Sequence, residues 1–138
     1  MRKMEVSMAF LCQLDLDRYH FQHRIGPETL GAIGKIGCFG GQINKGETAK
    51  EAVSREVAEE TSIVARPKDF LFLGSVDVIS DRDKEEVAVN AWVFRLSLPI
   101  DAEIQAKQGK LVTFAVEDIK QNLDRFTPAT KKAVEEYL

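Results

Sequence analysis

A run of glycines directly before a helix-forming segment is the feature that most constrains this chain. Six glycines fall within sixteen residues, at positions 31, 34, 37, 40, 41 and 46. That density predicts backbone with unusual dihedral angles, or backbone that comes close to another group. A helix is predicted to follow at residues 48–61, where Thr48 and Glu51 form an S/T-x-x-E capping box. The sequence therefore predicts a glycine loop, residues 37–47, that leads straight into a helix.

Three glutamates of this helix share its apolar face. A wheel of about 100° per residue places the following residues within about 60° of Glu56: Ala49, Ala52, Val53, Glu59 and Glu60. Three like charges on neighbouring turns repel, by about 0.2–0.5 kcal/mol for each exposed pair, and a divalent cation would remove the conflict. Carboxylates without His or Cys favour Mg²⁺ or Mn²⁺ over zinc. The alternative is an ordinary charged helix whose glutamates extend into water.

Length and charge limit the classes of protein that fit. The 138 residues suit one domain over 1–138. The 22 acidic and 19 basic residues give a net charge of −3, which argues against coating nucleic acid or an anionic membrane. No stretch approaches the roughly 20 apolar residues of a membrane span, and Cys12 and Cys38 are too few for a disulfide framework. We expect a cytoplasmic protein without nucleic-acid or membrane partners.

The rest of the pattern predicts an α/β fold with a mixed sheet. Strands are predicted at residues 6–14, 19–25, 70–80, 87–98 and 111–116, and helical segments at 117–123 and 127–138. A charged turn is predicted at residues 81–86. Because strands lie both before and between helices, with several short connections, the sheet is predicted to be mixed rather than all parallel.

The glycine loop and its helix together resemble the Nudix hydrolases, whose box reads G-x5-E-x7-R-E-U-x-E-E-x-G-U, with U a bulky aliphatic residue. Gly41 is followed at the family spacing by Glu47 and by the segment that runs from Arg55 to Ile63. Every defined position matches except Ser62, where the family has glycine. Glycine there commonly forms a left-handed cap, so we expect serine to lower stability by about 1 kcal/mol, unless the loop is rebuilt, and not to touch a ligand.

The resemblance implies a Nudix-type α/β/α sandwich that hydrolyses a nucleoside diphosphate linked to another moiety, such as a nucleoside triphosphate or ADP-ribose. The metal ligands that it implies are the side chains of Glu56, Glu59 and Glu60 and the backbone carbonyl of Gly40. Glu56 would be a ligand or the base that deprotonates water, and Glu59 would also be catalytic. The structural residues that it implies are Gly41, Glu47 and Arg55, the last two as an ion pair between loop and helix.

Two further residues are predicted outside the box. Many family members place an additional catalytic acid there, and Glu103 is the first candidate, ahead of Glu85, Glu86 and Glu117. For each of these acids the alternative is a solvated surface carboxylate. Arg24 is predicted to bind phosphate, which suits the planar guanidinium, because family members often have a basic residue at the end of the second strand. The alternative is that His20, Gln22 and Arg24 form the solvent face of an edge strand.

The expected partner is a small-molecule nucleoside diphosphate derivative bound with Mg²⁺ or Mn²⁺. The sequence leaves open which nucleotide it is and whether the chain forms a homodimer. A non-catalytic nucleotide-sensing or interaction domain on the same scaffold is the alternative function. The complete set of helix glutamates favours the enzyme, since a pure binder need not keep all three.

Overall fold

A computed structural model describes residues 1–24, 34–82 and 84–138. Its strands are β1 (Arg2–Gln13), β2 (Arg18–His23), β3 (Ile36–Gly37), β4 (Phe39–Gln42), β5 (Leu71–Arg82), β6 (Glu85–Ser97) and β7 (Lys110–Phe114). Its α-helices are α1 (Ala49–Glu60), α2 (Val116–Gln121) and α3 (Pro128–Tyr137). None of these helices is long and apolar enough to cross a membrane.

Within the described residues the strands form a single mixed sheet. The order is β3-β2-β1-β6-β5, with β4 also beside β1 and β7 beside β2. β1 runs parallel to β6, from Arg2 opposite Val87 to Cys12 opposite Ser97, and antiparallel to β2 and β4. The prediction of a mixed sheet is confirmed.

Helices cover both faces of the sheet, because successive side chains of a strand point to opposite faces. Phe10 of β1 belongs to a hydrophobic cluster that includes Ile119 of α2 and Val134 of α3. Its neighbour Leu11 belongs to a second cluster, with Val57 of α1. The predicted α/β/α sandwich is therefore confirmed.

The glycine-rich segment contains two short strands, β3 and β4, where the sequence predicts a loop. The pairing of β4 places Gly40 opposite Met8 of β1. Gly40 has φ +156°, and a Cβ there would lie 2.2 Å from the carbonyl oxygen of Ser7. Glycine thus lets the chain lie directly against β1 and pair with it. Gly31, and Ile25 at the end of the predicted second strand, fall outside the described residues.

The hairpin between β5 and β6 is longer than predicted. Instead of a charged turn over residues 81–86, pairing continues through Asp81 opposite Glu86 to Arg82 opposite Glu85. The opposite charges of this last pair favour pairing across the strands. Lys84, directly before β6, adopts a positive φ of 64°.

The solvent-facing edge proposed for β2 is wrong. β7 pairs with β2 from Tyr19 to His23 and covers the edge that β1 leaves open. His20 is consequently buried, with Nδ1 2.9 Å from Thr113 Oγ1 and Nε2 2.9 Å from Gln13 Oε1. Burial lowers the pKa of His20, and the charge of Arg18 lowers it further. β7 lies far along the chain, so no local pattern could reveal this burial.

Candidate metal and substrate site

The start of α1 has the local structure that its sequence predicts. Thr48 Oγ1 accepts a hydrogen bond from the Glu51 backbone N–H at 3.1 Å, and Glu51 Oε1 accepts one from the Thr48 N–H at 2.9 Å. This capping box satisfies two of the backbone donors that a helix start leaves free. The buried Ser7 hydroxyl of β1 also donates to the Ala49 carbonyl, at 2.7 Å. α1 is thereby fixed to the middle of the sheet.

The three helix glutamates have different surroundings. Glu60 is only 7% exposed and accepts a hydrogen bond from the Gly40 N–H at 2.8 Å. The Glu56 side chain is 17% exposed, whereas that of Glu59 is 53% exposed. Glu56 and Glu60 face the body of the protein, whereas about half of the Glu59 side chain is exposed. Glu59 instead lies 3.3 Å from the Arg55 guanidinium, which holds it at the surface.

Arg55 joins the loop to the helix through several carboxylates. Its Nε and Nη2 donate to Glu47 at 2.7 and 3.0 Å, and its Nη1 donates to Glu56 at 2.9 Å. The Gln42 carbonyl accepts a further bond from Nη2 at 3.2 Å. The hydrogen bonds from Arg55 lower the pKa of Glu47, and those to Glu47 raise the pKa of Arg55. The predicted ion pair between Glu47 and Arg55 is therefore present.

Two glycines make room for the buried carboxylates. A Cβ at Gly41 would lie 2.6 Å from both the carboxyl carbon and Oε1 of Glu56. The Gly40 N–H is already bonded to Glu60. Both carboxylates therefore lie against bare peptide, which explains sterically why glycine occupies the first position of the box.

Glu60 has a strongly perturbed acidity. Burial raises its pKa to about 8; the Gly40 N–H and the Arg24 guanidinium lower it, while the charges of Glu56 and Glu59 raise it. A desolvated carboxyl beside a second one suits a hard divalent cation, which prefers oxygen ligands. Among the described residues no group of three or more His, Cys, Asp or Glu side chains is already close enough to hold a metal ion. Glu59, the third helix glutamate, accepts hydrogen bonds from Arg55 instead.

A pocket of about 70 Å³ opens beside these glycines, on the side of the sheet that faces α3. Val6, Met8 and Val89 form apolar walls, and Gly40 and Gly41 connect the pocket to the carboxylates. Asp81 and Arg82 of the β5–β6 hairpin also line it.

Arg24 lines the pocket and does not lie on an exposed strand edge. Its Nε is buried and has no hydrogen-bond partner among the described residues. Its charge lowers the pKa of Glu60 and also that of Cys38, whose pKa burial nevertheless raises to about 12. Arg24 thus brings a positive charge to the wall of the pocket, close enough to Glu60 to affect the pKa of that carboxyl.

Two threonines of the pocket were missed by sequence reasoning. Thr130 Oγ1 accepts hydrogen bonds from the Cys38 N–H at 3.0 Å and from the Thr127 hydroxyl at 2.9 Å. Both threonines line the pocket at the start of α3. The Thr127-Pro128 pair locates the helix start in the sequence, but only the packing of α3 on β3 and β5 shows which way it faces.

The expected left-handed conformation after α1 is wrong. Thr61 ends the helix with extended angles, φ −137° and ψ 173°. The positive φ angles of described non-glycine residues occur only at Asp17 and Lys84, so Ser62 does not adopt one. Its N–H donates to the Gln105 carbonyl at 2.9 Å, and its hydroxyl accepts from the Gln105 N–H at 3.0 Å. Serine is accommodated because a different backbone path follows the helix.

Glu103 lies exposed between β6 and β7, two positions before Gln105. Glu85 and Glu86, its first alternatives, are exposed at the start of β6. The geometry therefore places Glu103 on the segment that contacts the end of α1, and its catalytic role stays a prediction.

Comparison with known proteins assigns the family. The NUDIX domain model matches residues 17–137. The fold resembles a MutT NUDIX hydrolase from Burkholderia pseudomallei, at 23% identity and a TM-score of 0.73 with 100% of both chains covered. It also resembles the E. coli dihydroneopterin triphosphate pyrophosphohydrolase, at 15% identity and a TM-score of 0.73 with 99% of this chain and 97% of that one covered.

A C. elegans Ap4A hydrolase is similar at 16% identity and a TM-score of 0.59, over 85% of this chain and 84% of that one. A search of curated protein sequences gave no match. The structural likenesses establish the fold, and the domain match covers most of the chain and includes the whole box. The expectation of a Nudix-type pyrophosphohydrolase is thus confirmed at the level of the family, and the chain belongs to the NUDIX family of hydrolases.

Proposed function

We propose that this protein is a single-domain enzyme, over residues 1–138, that hydrolyses a nucleoside diphosphate linked to another moiety. The observation that supports this most is the arrangement of Glu56 and Glu60 against Gly40 and Gly41, beside a pocket that contains Arg24. Carboxylates on one side and a guanidinium on the other are the groups that a metal-bound diphosphate requires.

Glu56 and Glu60 hold Mg²⁺ or Mn²⁺ in this proposal, together with the Gly40 carbonyl and with Glu59 after it leaves Arg55. When bound, the metal neutralises phosphate charge and lowers the pKa of water. Arg24 binds a phosphate oxygen and orients the diphosphate between pocket and carboxylates.

Glu56 is suited to take the proton from the attacking water, since it is partly buried and held by Arg55. Glu103 is the proposed additional acid. The chemistry requires a base and a positioned water but no covalent nucleophile, so the buried Cys38 thiol has no part in it.

The family and the substrates of similar proteins support a substrate class. The similar proteins act on dihydroneopterin triphosphate, on Ap4A and, in a bifunctional Francisella tularensis enzyme, on ADP-ribose. We propose a small-molecule nucleotide of this kind as the partner, in the cytoplasm, with neither nucleic-acid polymer nor membrane as a target. A homodimer is compatible with this function and is not required by it.

Turnover by Glu59→Gln tests the proposal. A panel of nucleoside triphosphates, nucleotide sugars and dinucleoside polyphosphates is incubated with Mg²⁺ or Mn²⁺, and phosphate is detected with and without a phosphatase. The parent should hydrolyse at least one substrate, and Glu59→Gln should abolish that turnover. Glu51→Gln is the matched control, because Glu51 caps the same helix far from the pocket and glutamine keeps an accepting oxygen.

Near-full activity of Glu59→Gln would contradict the assignment of Glu59. If the parent hydrolysed nothing in the panel yet bound a nucleotide tightly, the sensing domain would be the correct function.

A further inference from the structure

The last turn of α1 is completed by a segment that is distant in sequence. Thr61 leaves the helix in an extended conformation and forms an antiparallel bridge with Ala106. We call residues 105–107 the clasp segment. It runs alongside the chain that leaves the helix.

The clasp segment bonds backbone groups that a helix end leaves unpaired. The Lys107 N–H donates to the Glu60 carbonyl at 2.7 Å, and its ammonium group donates to the Ala58 carbonyl at 3.1 Å. A cation in this position also complements the negative end of the helix dipole. On the other side, Ser62 and Gln105 exchange two hydrogen bonds.

The chain on either side of the clasp segment is anchored by buried amides. The Gln13 Nε2 donates to the carbonyls of Pro99, Ile100 and Ala102 at 2.9, 3.3 and 3.1 Å. Gln22 Nε2 donates to the Gln108 carbonyl at 3.0 Å. Both glutamines are buried. The segment is therefore fixed on both sides to the first two strands, and it can hold the helix end in place.

Glu59 and Glu60 are the last two residues of α1, so whatever holds this turn also sets their positions. We propose that the clasp segment is a positioning element for these two glutamates, and that Ser62 and Lys107, which touch neither substrate nor metal, raise the affinity of the site for its divalent cation. This inference rests on the proposed metal-binding role of Glu59 and Glu60. It also gives a role to Ser62, the single departure from the family box, because the serine hydroxyl accepts one of the hydrogen bonds that join the end of α1 to the clasp segment.

The test removes both side-chain ties in one variant, Ser62→Ala/Lys107→Ala, and leaves the backbone contacts in place. Mn²⁺ binding is measured without substrate, from the electron paramagnetic resonance signal of free Mn²⁺. We expect the dissociation constant to rise roughly fivefold, the scale of one net hydrogen bond. Amide hydrogen exchange at Glu59 and Glu60 of the metal-free protein should become faster.

Ser54→Ala is the matched control. It also removes a hydrogen bond from α1, the 2.6 Å contact of the Ser54 hydroxyl with the Ala65 carbonyl, but earlier in the helix. We expect it to lower the melting temperature without changing Mn²⁺ affinity. Ser62→Thr, which keeps the hydroxyl, should bind Mn²⁺ like the parent.

An unchanged dissociation constant in the double variant would overturn the inference. An equal rise of the dissociation constant in Ser54→Ala would also overturn it, because general loosening of the helix would then explain the result. Failure of the parent to bind Mn²⁺ would overturn it as well. If the parent binds Mn²⁺ but hydrolyses no nucleotide, the proposed reaction is contradicted and the inference about the clasp segment is not.

Discussion

The two ends of helix α1 are built in opposite ways. At the start, Thr48 and Glu51 satisfy each other's backbone within a span of four residues. At the end, the partners of Ala58, Glu60 and Ser62 come from residues 105–107. The start is therefore encoded locally, whereas the end depends on the assembled fold. Since the glutamates lie towards the second end, the chemistry of this site depends on tertiary contacts more than on helix propensity.

The largest effect, a loss of activity, is expected from Gly41→Ala, which acts on Glu56 near the second end of the helix. The added methyl group would overlap the Glu56 carboxylate, with 2.6 Å between the new Cβ and the carboxyl carbon. Displacement of a catalytic group by about 1 Å can lower a rate roughly 100-fold, and we expect a loss of that size in kcat on the best substrate of the panel.

Gly46→Ala is the control for this experiment. Gly46 has φ +85°, and no atom lies within 4 Å of the position that a Cβ would take, so alanine there should lower stability through backbone strain and leave kcat close to that of the parent. Equal activity losses in both variants would show that loop strain, and not the space beside Glu56, governs the rate.

A smaller effect, on thermal stability, is expected from a change of pH. It arises at Glu60, the last residue of α1. The folded pKa of Glu60 is about 8, above the usual 4.5. The protonated form is thus the one that the fold favours; its stabilisation is complete below pH 4.5 and is lost as pH rises through 8. Metal-free protein should therefore melt at progressively lower temperature across this range.

Glu60→Gln should remove this part of the pH dependence, and Mg²⁺ should stabilise the parent more at about pH 8 than at about pH 6, because metal binding requires the deprotonated carboxylate. Melting curves in EDTA and in Mg²⁺ measure both. A Glu60→Gln protein whose pH dependence equals that of the parent would rule out Glu60 as its source.

The smallest effect is expected at the first end of the helix. Thr48→Ala removes the acceptor for the Glu51 N–H and should lower the free energy of unfolding by about 1 kcal/mol. Urea unfolding measures it, with Thr48→Ser as the variant that keeps the cap. Mn²⁺ affinity should stay unchanged, and a loss of metal binding in Thr48→Ala would show that the two ends are coupled.

Sequence patterns predict most of what is local in this molecule. The start of α1 and the alternation of the long strands follow from spacing, and the pairing of Glu47 with Arg55 is what the family resemblance implies. The burial of His20 depends on β7, and the path after Thr61 depends on the clasp segment, so neither could be inferred from neighbouring residues. The exposure of Glu59 could not be inferred for a related reason: a helix wheel includes side-chain direction but not the competing charge of Arg55. Its metal-binding role stays a prediction.

The pairing of β1 with β6 has a consequence for how the chain is made. Residues 2–12 pair with residues 87–97, an offset of 85 positions. At a synthesis rate of about 5–20 residues per second, β1 leaves the ribosome roughly 4–17 s before its parallel partner. During that interval the apolar side chains of Phe10 and Leu11, fully buried in the finished protein, lack part of their cover. One edge of β1 thus stays unpaired until β6 has been made.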